Sequence, residues 1–327
     1  MYSAFSSPWV RVGIWFPLLG AVLAGFDTEM LWFVDGDEYL RKRITQHARA
    51  HYVPPEDAYV DKIWKAVPGL NGYRIDEEAT FQRTKQSRGR GIVNVWRSIP
   101  PVVQLHSLSA LPVYRGNPRK NAVGLMFNVA WGTEHLDGIL RILQHKGLRA
   151  TFFLDGFWLK DHPVEARRLL DGGHEIGNHG YNHSLLEQAD LGKITRTMQR
   201  TRALLQEMLG IRSYLFAPPA GSFDQRTVDE ARRQGMVTIL WSCDTVDWRK
   251  DATPERIINR VGGKIQSGSL ILMHPTPSTV RALPAILSLA QDRHLRMGSV
   301  GEVLSSDYYL PAMDPAHGVK MHENSSG

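Results

Sequence analysis

The sequence predicts an α/β fold, a distorted (β/α) barrel of about seven βα units with a small N-terminal appendage. Three observations predict it. From residue 119 onward short apolar runs alternate with helix-period patterns; the connections are brief and rich in Gly or Pro; and chemistry-bearing residues recur just after the apolar runs. Such alternation is the pattern of a parallel sheet covered by helices. A chain of 327 residues with 43% hydrophobic content can build that core and carry an appendage as well.

The elements follow in order. Ala122 to Val129 reads as the first strand. Glu134 to Lys146 is a helix with Leu136, Ile139, Leu140 and Leu143 on one face and Gly147 as its stop. Ala150 to Leu154 is a strand, Pro163 to Leu170 a helix ended by Gly172 and Gly173, and Glu175 to Asn178 extended. A long helix from Leu191 to Leu209 closes at Gly210. Leu215 to Ala217 is extended, Asp224 to Gln234 helical before Gly235, and Val237 to Trp241 a strand. Thr253 and Pro254 supply a cap and first residue for the helix Glu255 to Lys264. Ser269 to Met273 is a strand, Thr279 to Ala290 a helix, and Leu295 to Val300 the last extended segment.

The two ends read differently. Val12 to Phe26 is an uncharged apolar run after Arg11, shorter than the ~20 residues that span a bilayer. It reads as the core of a signal peptide, with Ala24 before a cleavage point, or as an uncleaved anchor when counted from Pro8. Either reading assigns residues 1–26 to targeting and the bulk of the chain outside the cytoplasm. Residues 27–118 form the appendage and a Pro-punctuated linker, with one short helix expected over Ala58 to Val67. Residues 119–305 make the main domain, and the polar stretch 306–327 is a tail.

A single cysteine, Cys243, excludes an internal disulfide framework and a Cys-rich zinc site. The formal charge of +6 suits an anionic wall or membrane surface. It does not point to nucleic acid, because the one dense basic stretch, Arg83 to Arg90, has no interleaved aromatics and reads as a solvated loop.

Four motifs sit at the expected strand ends. His179 and His183 are four apart, a spacing that on a helical turn puts both imidazoles on one face, as a metal site requires. Ala217-Pro218-Pro219-Ala220-Gly221, Asp244-Thr245-Val246-Asp247-Trp248 and Leu272-Met273-His274 follow. Singly these also read as surface histidines, a rigid turn, a capping carboxylate and a core histidine. Their shared placement favours a site.

In these motifs the chain resembles the polysaccharide deacetylases, the carbohydrate esterase group with the NodB homology domain. The family's H-x-x-x-H motif matches His179 and His183, R-x-P-x-G matches Ala217 to Gly221, D-x-x-D-W matches Asp244 to Trp248, and L-x-H matches Leu272 to His274. Its T-F-D-D motif aligns with Met126 to Val129. More narrowly, Asn128 to Gly132, His274 to Ser278, Asp61 to Ala66 and Tyr114 to Pro118 are similar to the subgroup associated with spore formation in Gram-positive bacteria.

The resemblance implies a NodB-type barrel and a divalent metal, zinc or cobalt, held by His179, His183 and the position of Val129. It also marks departures. The general base is Asn128, whose amide cannot take a proton near neutral pH; the arginine that orients that base is Ala217; and the carboxylate ligand is Val129, so metal binding is expected to be weakened. The acid half is kept: His274 would protonate the leaving amine, Asp247 would hold that imidazole, Trp248 and Pro219 would line the sugar groove, and Leu272 would pack near the acetyl methyl. Glu134 or Asp137 are candidate substitute bases, although Glu134 equally reads as an acid favoured at a helix N-terminus.

Two functions are therefore expected. One is a hydrolase of N-acetyl amide bonds in peptidoglycan or another N-acetylated polysaccharide, acting in sporulation. The other is an inactive glycan-binding or scaffold protein on the same fold. The partners are that polysaccharide and, if the N-terminal segment is uncleaved, a membrane; nucleic acid is not expected.

Overall fold

A computed structural model describes residues 36–87 and 91–307. The apolar run at residues 12–26, the end of the basic stretch at 88–90 and the tail from 308 lie outside the described residues. Among the described residues no helix is long and apolar enough to cross a membrane.

The N-terminal region comprises helix α1 (Gly36–Ala50), strands β1 (Tyr59–Asp61), β2 (Lys65–Val67) and β3 (Gly72–Ile75), helix α2 (Glu77–Gln86) and strand β4 (Trp96–Ile99). Here the expected helix over Ala58 to Val67 is corrected. β1 and β2 form an antiparallel hairpin in which Asp61 faces Lys65. The Asp61 carboxylate accepts the backbone N–H groups of Ile63 and Trp64, and Lys65 turns the chain at φ 58°. An aspartate that bonds its own downstream backbone offers the chain a turn in place of a helix. β3 pairs antiparallel with β4.

The main domain runs β5 (Ala122–Val129), α3 (Thr133–His145), β6 (Thr151–Leu154), α4 (Gly156–Asp161), α5 (Pro163–Asp171), β7 (Glu175–Asn178), α6 (Leu191–Leu204), β8 (Leu215–Phe216), α7 (Gln225–Arg233), β9 (Val237–Thr238), β10 (Cys243–Asp244), α8 (Pro254–Gly262), β11 (Leu270–Met273), α9 (Pro277–Asp292), β12 (Arg296–Gly298) and α10 (Val300–Leu304). The strands form one parallel sheet, ordered β10-β11-β5-β6-β7-β8-β9, with β12 beside the start of β5. This is a curled half-barrel with helices outside, the distorted α/β barrel that the sequence predicts. Helix α4 and strand β10 are additions to it. Val300, expected at the end of an extended segment, instead begins α10, because Ser299 and Glu302 cap that helix reciprocally.

β5 organises the core. All eight of its residues are buried, and their side chains alternate between two layers. Val123, Leu125, Phe127 and Val129 join the apolar layer under the helices. Ala122 and Met126 face the barrel interior with Phe153, Leu215, Ala217, Ile239, Leu270 and Leu272. Between β9 and β10, where the sheet does not pair directly, Val113 bridges to Ile239, bonds Thr238 and Leu240, and meets Lys65 of β2 on its other side. Ala66 and Val113 both belong to the interior cluster, so the segment ahead of the main domain supplies part of the barrel wall.

Candidate functional site

The sequence motifs meet at the C-terminal edge of the sheet, the edge where catalytic groups of parallel barrels collect. His179 follows β7 and is fully buried. Its Nδ1 lies 2.8 Å from the carbonyl oxygen of Ala217, which leaves Nε2 for the site. Burial, then the neighbouring His183, push its pKa down to about 3, with the bond to Ala217 opposing and His274 adding to the fall. His183 is reached by a turn and not by a helix: Asn182 and His183 sit at φ 59° and 44°. The expected helical turn is therefore absent, yet the rings meet edge to face with centroids 5.5 Å apart. His183 is exposed, and only partial desolvation disfavours its imidazolium, opposed by Asp155 and aided by His274.

Asp155, unremarked in the sequence, fixes this turn. It is buried at the end of β6 and caps α4 through the N–H groups of Phe157 and Trp158, and it accepts the N–H of His183 at 2.8 Å. A capping aspartate before an apolar helix gives its structural role away; its reach to His183 spans 28 residues and has no local signal.

Across the site, Asp247 holds His274. One carboxylate oxygen lies 2.8 Å from His274 Nδ1, and the other accepts the His274 backbone N–H at 2.6 Å and the Thr279 hydroxyl at 2.5 Å. The ring of Trp131 lies parallel to that imidazole at 5.8 Å and is 44% exposed, and Trp248 is 55% exposed. Trp131 was legible as part of the run Asn128 to Gly132 but carried no assigned role. Pro219 is buried and abuts Gly180, and Leu272 packs into the barrel interior with Ala217. Four of the loop residues, Asn182, His183, Ala220 and Val246, have positive φ without being glycine, the kind of strain that clusters at binding and catalytic sites.

The base, third-ligand and arginine positions of the pattern carry no charged side chain. Asn128 is buried and its Oδ1 has no hydrogen-bond partner among the described residues. Val129 is fully buried in the layer beneath the helices, and Ala217 in the interior cluster. The substitute bases do not reach the site: the Glu134 side chain is 71% exposed beside His135, and Asp137 pairs with Arg168 on α5. Among the described residues no group of three or more His, Cys, Asp or Glu is arranged to hold a metal ion. Catalytic zinc takes three protein ligands and keeps one position open. Two imidazoles with an apolar third position do not fit such a centre.

A parallel half-barrel with a histidine pair, a His–Asp pair and exposed tryptophans on its C-terminal edge defines a barrel of the carbohydrate esterase type. Comparison with known proteins makes this definite. The family described as polysaccharide deacetylase matches residues 115–239. The chain is 38% identical over 272 residues to the uncharacterized protein YlxY of Bacillus subtilis, covering 83% of this chain and 85% of that protein. It is 32% identical over 164 residues to a peptidoglycan-N-acetylglucosamine deacetylase of Bacillus cereus, covering 50% of this chain and 59% of that one. Among solved structures, a CE4 family pseudoenzyme from Bacillus anthracis superposes with a TM-score of 0.74 at 37% identity, covering 82% of this chain and 95% of the other. A mutant of that pseudoenzyme is described as having restored enzymatic activity. The chain belongs to the polysaccharide deacetylase family, whose active members depend on a metal.

Proposed function

We propose that this protein binds N-acetylated cell-wall polysaccharide without hydrolysing it, using the groove of a deacetylase whose base and metal ligand have been lost. One observation carries the reading: a neutral amide, Asn128, whose buried Oδ1 has no partner among the described residues, stands where a base is needed, in a site that otherwise keeps its His–Asp pair and exposed tryptophans. An amide at that position cannot act as the general base that activates water. Trp248 and Trp131 offer faces on which sugar rings stack. The similarity to a pseudoenzyme, and to a deacetylase acting on peptidoglycan, supports both halves of the reading. The N-terminal apolar run supports action outside the cytoplasm, and the motifs similar to the sporulation-associated subgroup support a part in spore-wall assembly.

A second reading, hydrolysis of the N-acetyl amide with zinc or cobalt, is favoured by the intact Asp247–His274 pair, which retains the means to deliver a proton. Acetate release from peptidoglycan and N-acetylglucosamine oligomers, with zinc or cobalt added, separates the two. The wild-type protein is expected to bind both polymers and release nothing. The triple variant Asn128→Asp/Val129→Asp/Ala217→Arg is expected to gain release that His274→Ala abolishes. Release by the wild type would overturn the non-catalytic reading.

A further inference from the structure

Beside the histidine pair lies a second surface whose cations come from α6 and not from the deacetylase motifs. Lys193, Arg196 and Arg200 are exposed at positions i, i+3 and i+7 of α6, and so share one face of that helix. They line a shallow depression of about 530 Å³ with Tyr181, Asn182, Ser184, Thr197 and Gln199. Tyr181 and Asn182 belong to the turn between His179 and His183, so one wall of the depression is the turn that carries the histidine pair.

This face is ordered in a way that a solvated row of basic residues is not. The Arg200 guanidinium stacks over the Tyr181 ring at 3.8 Å, and Tyr181 meets Phe157 edge to face at 6.2 Å, with Phe157 half exposed. Stacking over the ring leaves the guanidinium's N–H groups directed outward in a fixed fork. The acid beside this row is Asp190, which caps α6 through the Lys193 N–H and whose carboxyl is lowered in part by Arg196. Asp155, behind the turn, is buried and already holds three backbone N–H groups. The face therefore presents a surplus of positive charge with the half-exposed Phe157 ring beside it, while Arg200 covers the Tyr181 face. Guanidinium forks match carboxylates, and the Phe157 shelf suits the apolar face of a sugar ring.

We propose that this face binds the carboxylates of an acidic glycan strand, so that a chain seated in the neighbouring groove is selected for the carboxylates it carries. The proposal rests on the glycan-binding reading above and names the substrate class of that groove: a carboxylate-bearing N-acetylated strand, in preference to a neutral one. A phosphate polymer would satisfy the cations but leave the aromatic shelf without a partner.

The test compares binding of three probes to the purified protein at low and high salt: soluble peptidoglycan strands carrying stem-peptide carboxylates, neutral N-acetylglucosamine oligomers of matched length, and polyglycerol phosphate. The carboxylated strand is expected to bind about tenfold tighter than the neutral one, the size expected of two or three exposed ion pairs, and to lose that margin at high salt. Arg196→Gln/Arg200→Gln is expected to equalise the two while keeping binding to the neutral oligomer. Both residues are exposed, so the fold tolerates the change. Equal affinities in the wild type, a margin that survives the double variant, or tighter binding of the phosphate polymer would each overturn the proposal. Trp248→Ala separates the two ideas: it should weaken both glycans equally, and carboxylate preference with no effect of Trp248→Ala would remove the groove reading, and with it the selection of a groove-seated chain, leaving only carboxylate binding by this face.

Discussion

Asp247 receives both N–H groups of His274, the backbone at 2.6 Å and the ring Nδ1 at 2.8 Å, and takes the Thr279 hydroxyl as a third donor. The histidine is thereby fixed in position and tautomer, with Nε2 facing the site, in a protein whose base and metal ligand are absent. Such a buried acceptor also holds two elements together, because Thr279 belongs to α9 and Asp247 to the loop after β10. Asp247→Asn replaces one acceptor oxygen by a donor and leaves one of three N–H or O–H groups unpaired. It is expected to destabilise the fold by about 1–3 kcal/mol, read as a lower thermal midpoint. An unchanged midpoint would mean that the pair is not structural.

His179 makes stability depend on pH. Its imidazole is held to a pKa of about 3 by burial, against about 6.5 in an unfolded chain. Between these values the unfolded state binds the proton and the folded state does not, so stability rises with pH in that window. The contribution is fully present above pH ~6.5 and is lost as the pH falls toward 3. His179→Gln, in chelator, is expected to flatten the acid limb of denaturant unfolding measured between pH 7 and 4. A slope equal to that of the wild type would show that His179 titrates normally.

Much of this was legible in the sequence, for identifiable reasons. Strands such as Ala122–Val129 and helices such as Thr133–His145 announce themselves because burial on a sheet and on a helix face leaves periodic patterns. The ends of the elements bring His179, His183, Asp247 and His274 to one edge, as the βα order dictates. The hairpin at Tyr59–Val67 was not legible as a hairpin, since its decisive signal is the Asp61 side chain bonding two backbone N–H groups. Short-range alternation there fits a helix equally well. Nor could the sequence reveal that Val113 fills the gap beside β9, a contact made across 126 positions of chain, or that Trp131 lies over His274. Such pairings are set by tertiary packing and leave no periodic trace.

The two exposed tryptophans make separate predictions. Trp248→Ala should weaken binding to purified peptidoglycan by about tenfold, the scale of losing one stacked aromatic. Trp131→Ala should do the same and in addition alter His274, whose imidazole it covers. The second effect is measurable as a change in the chemical shift of the His274 ring protons. Binding that is indifferent to both substitutions would mean that sugars do not sit on this edge.

The barrel wall supplied by the segment ahead of residue 119 gives the last expectation. Val113 is fully buried, bridges Ile239, and lies in the interior cluster with Ala66, Met126 and Ala217. Its two methyl groups exclude water from the side of the barrel where β9 and β10 do not pair. Val113→Ala is expected to cost about 2 kcal/mol through lost burial and a small void. Val113→Asp, which sets an unpaired charge against that interior, should cost more and reduce soluble yield. A chain beginning at residue 119 should be less stable than the full protein by at least the Val113→Ala amount, because it removes Ala66 along with Val113. Equal unfolding midpoints for the truncated and full chains would show that the barrel closes without this segment.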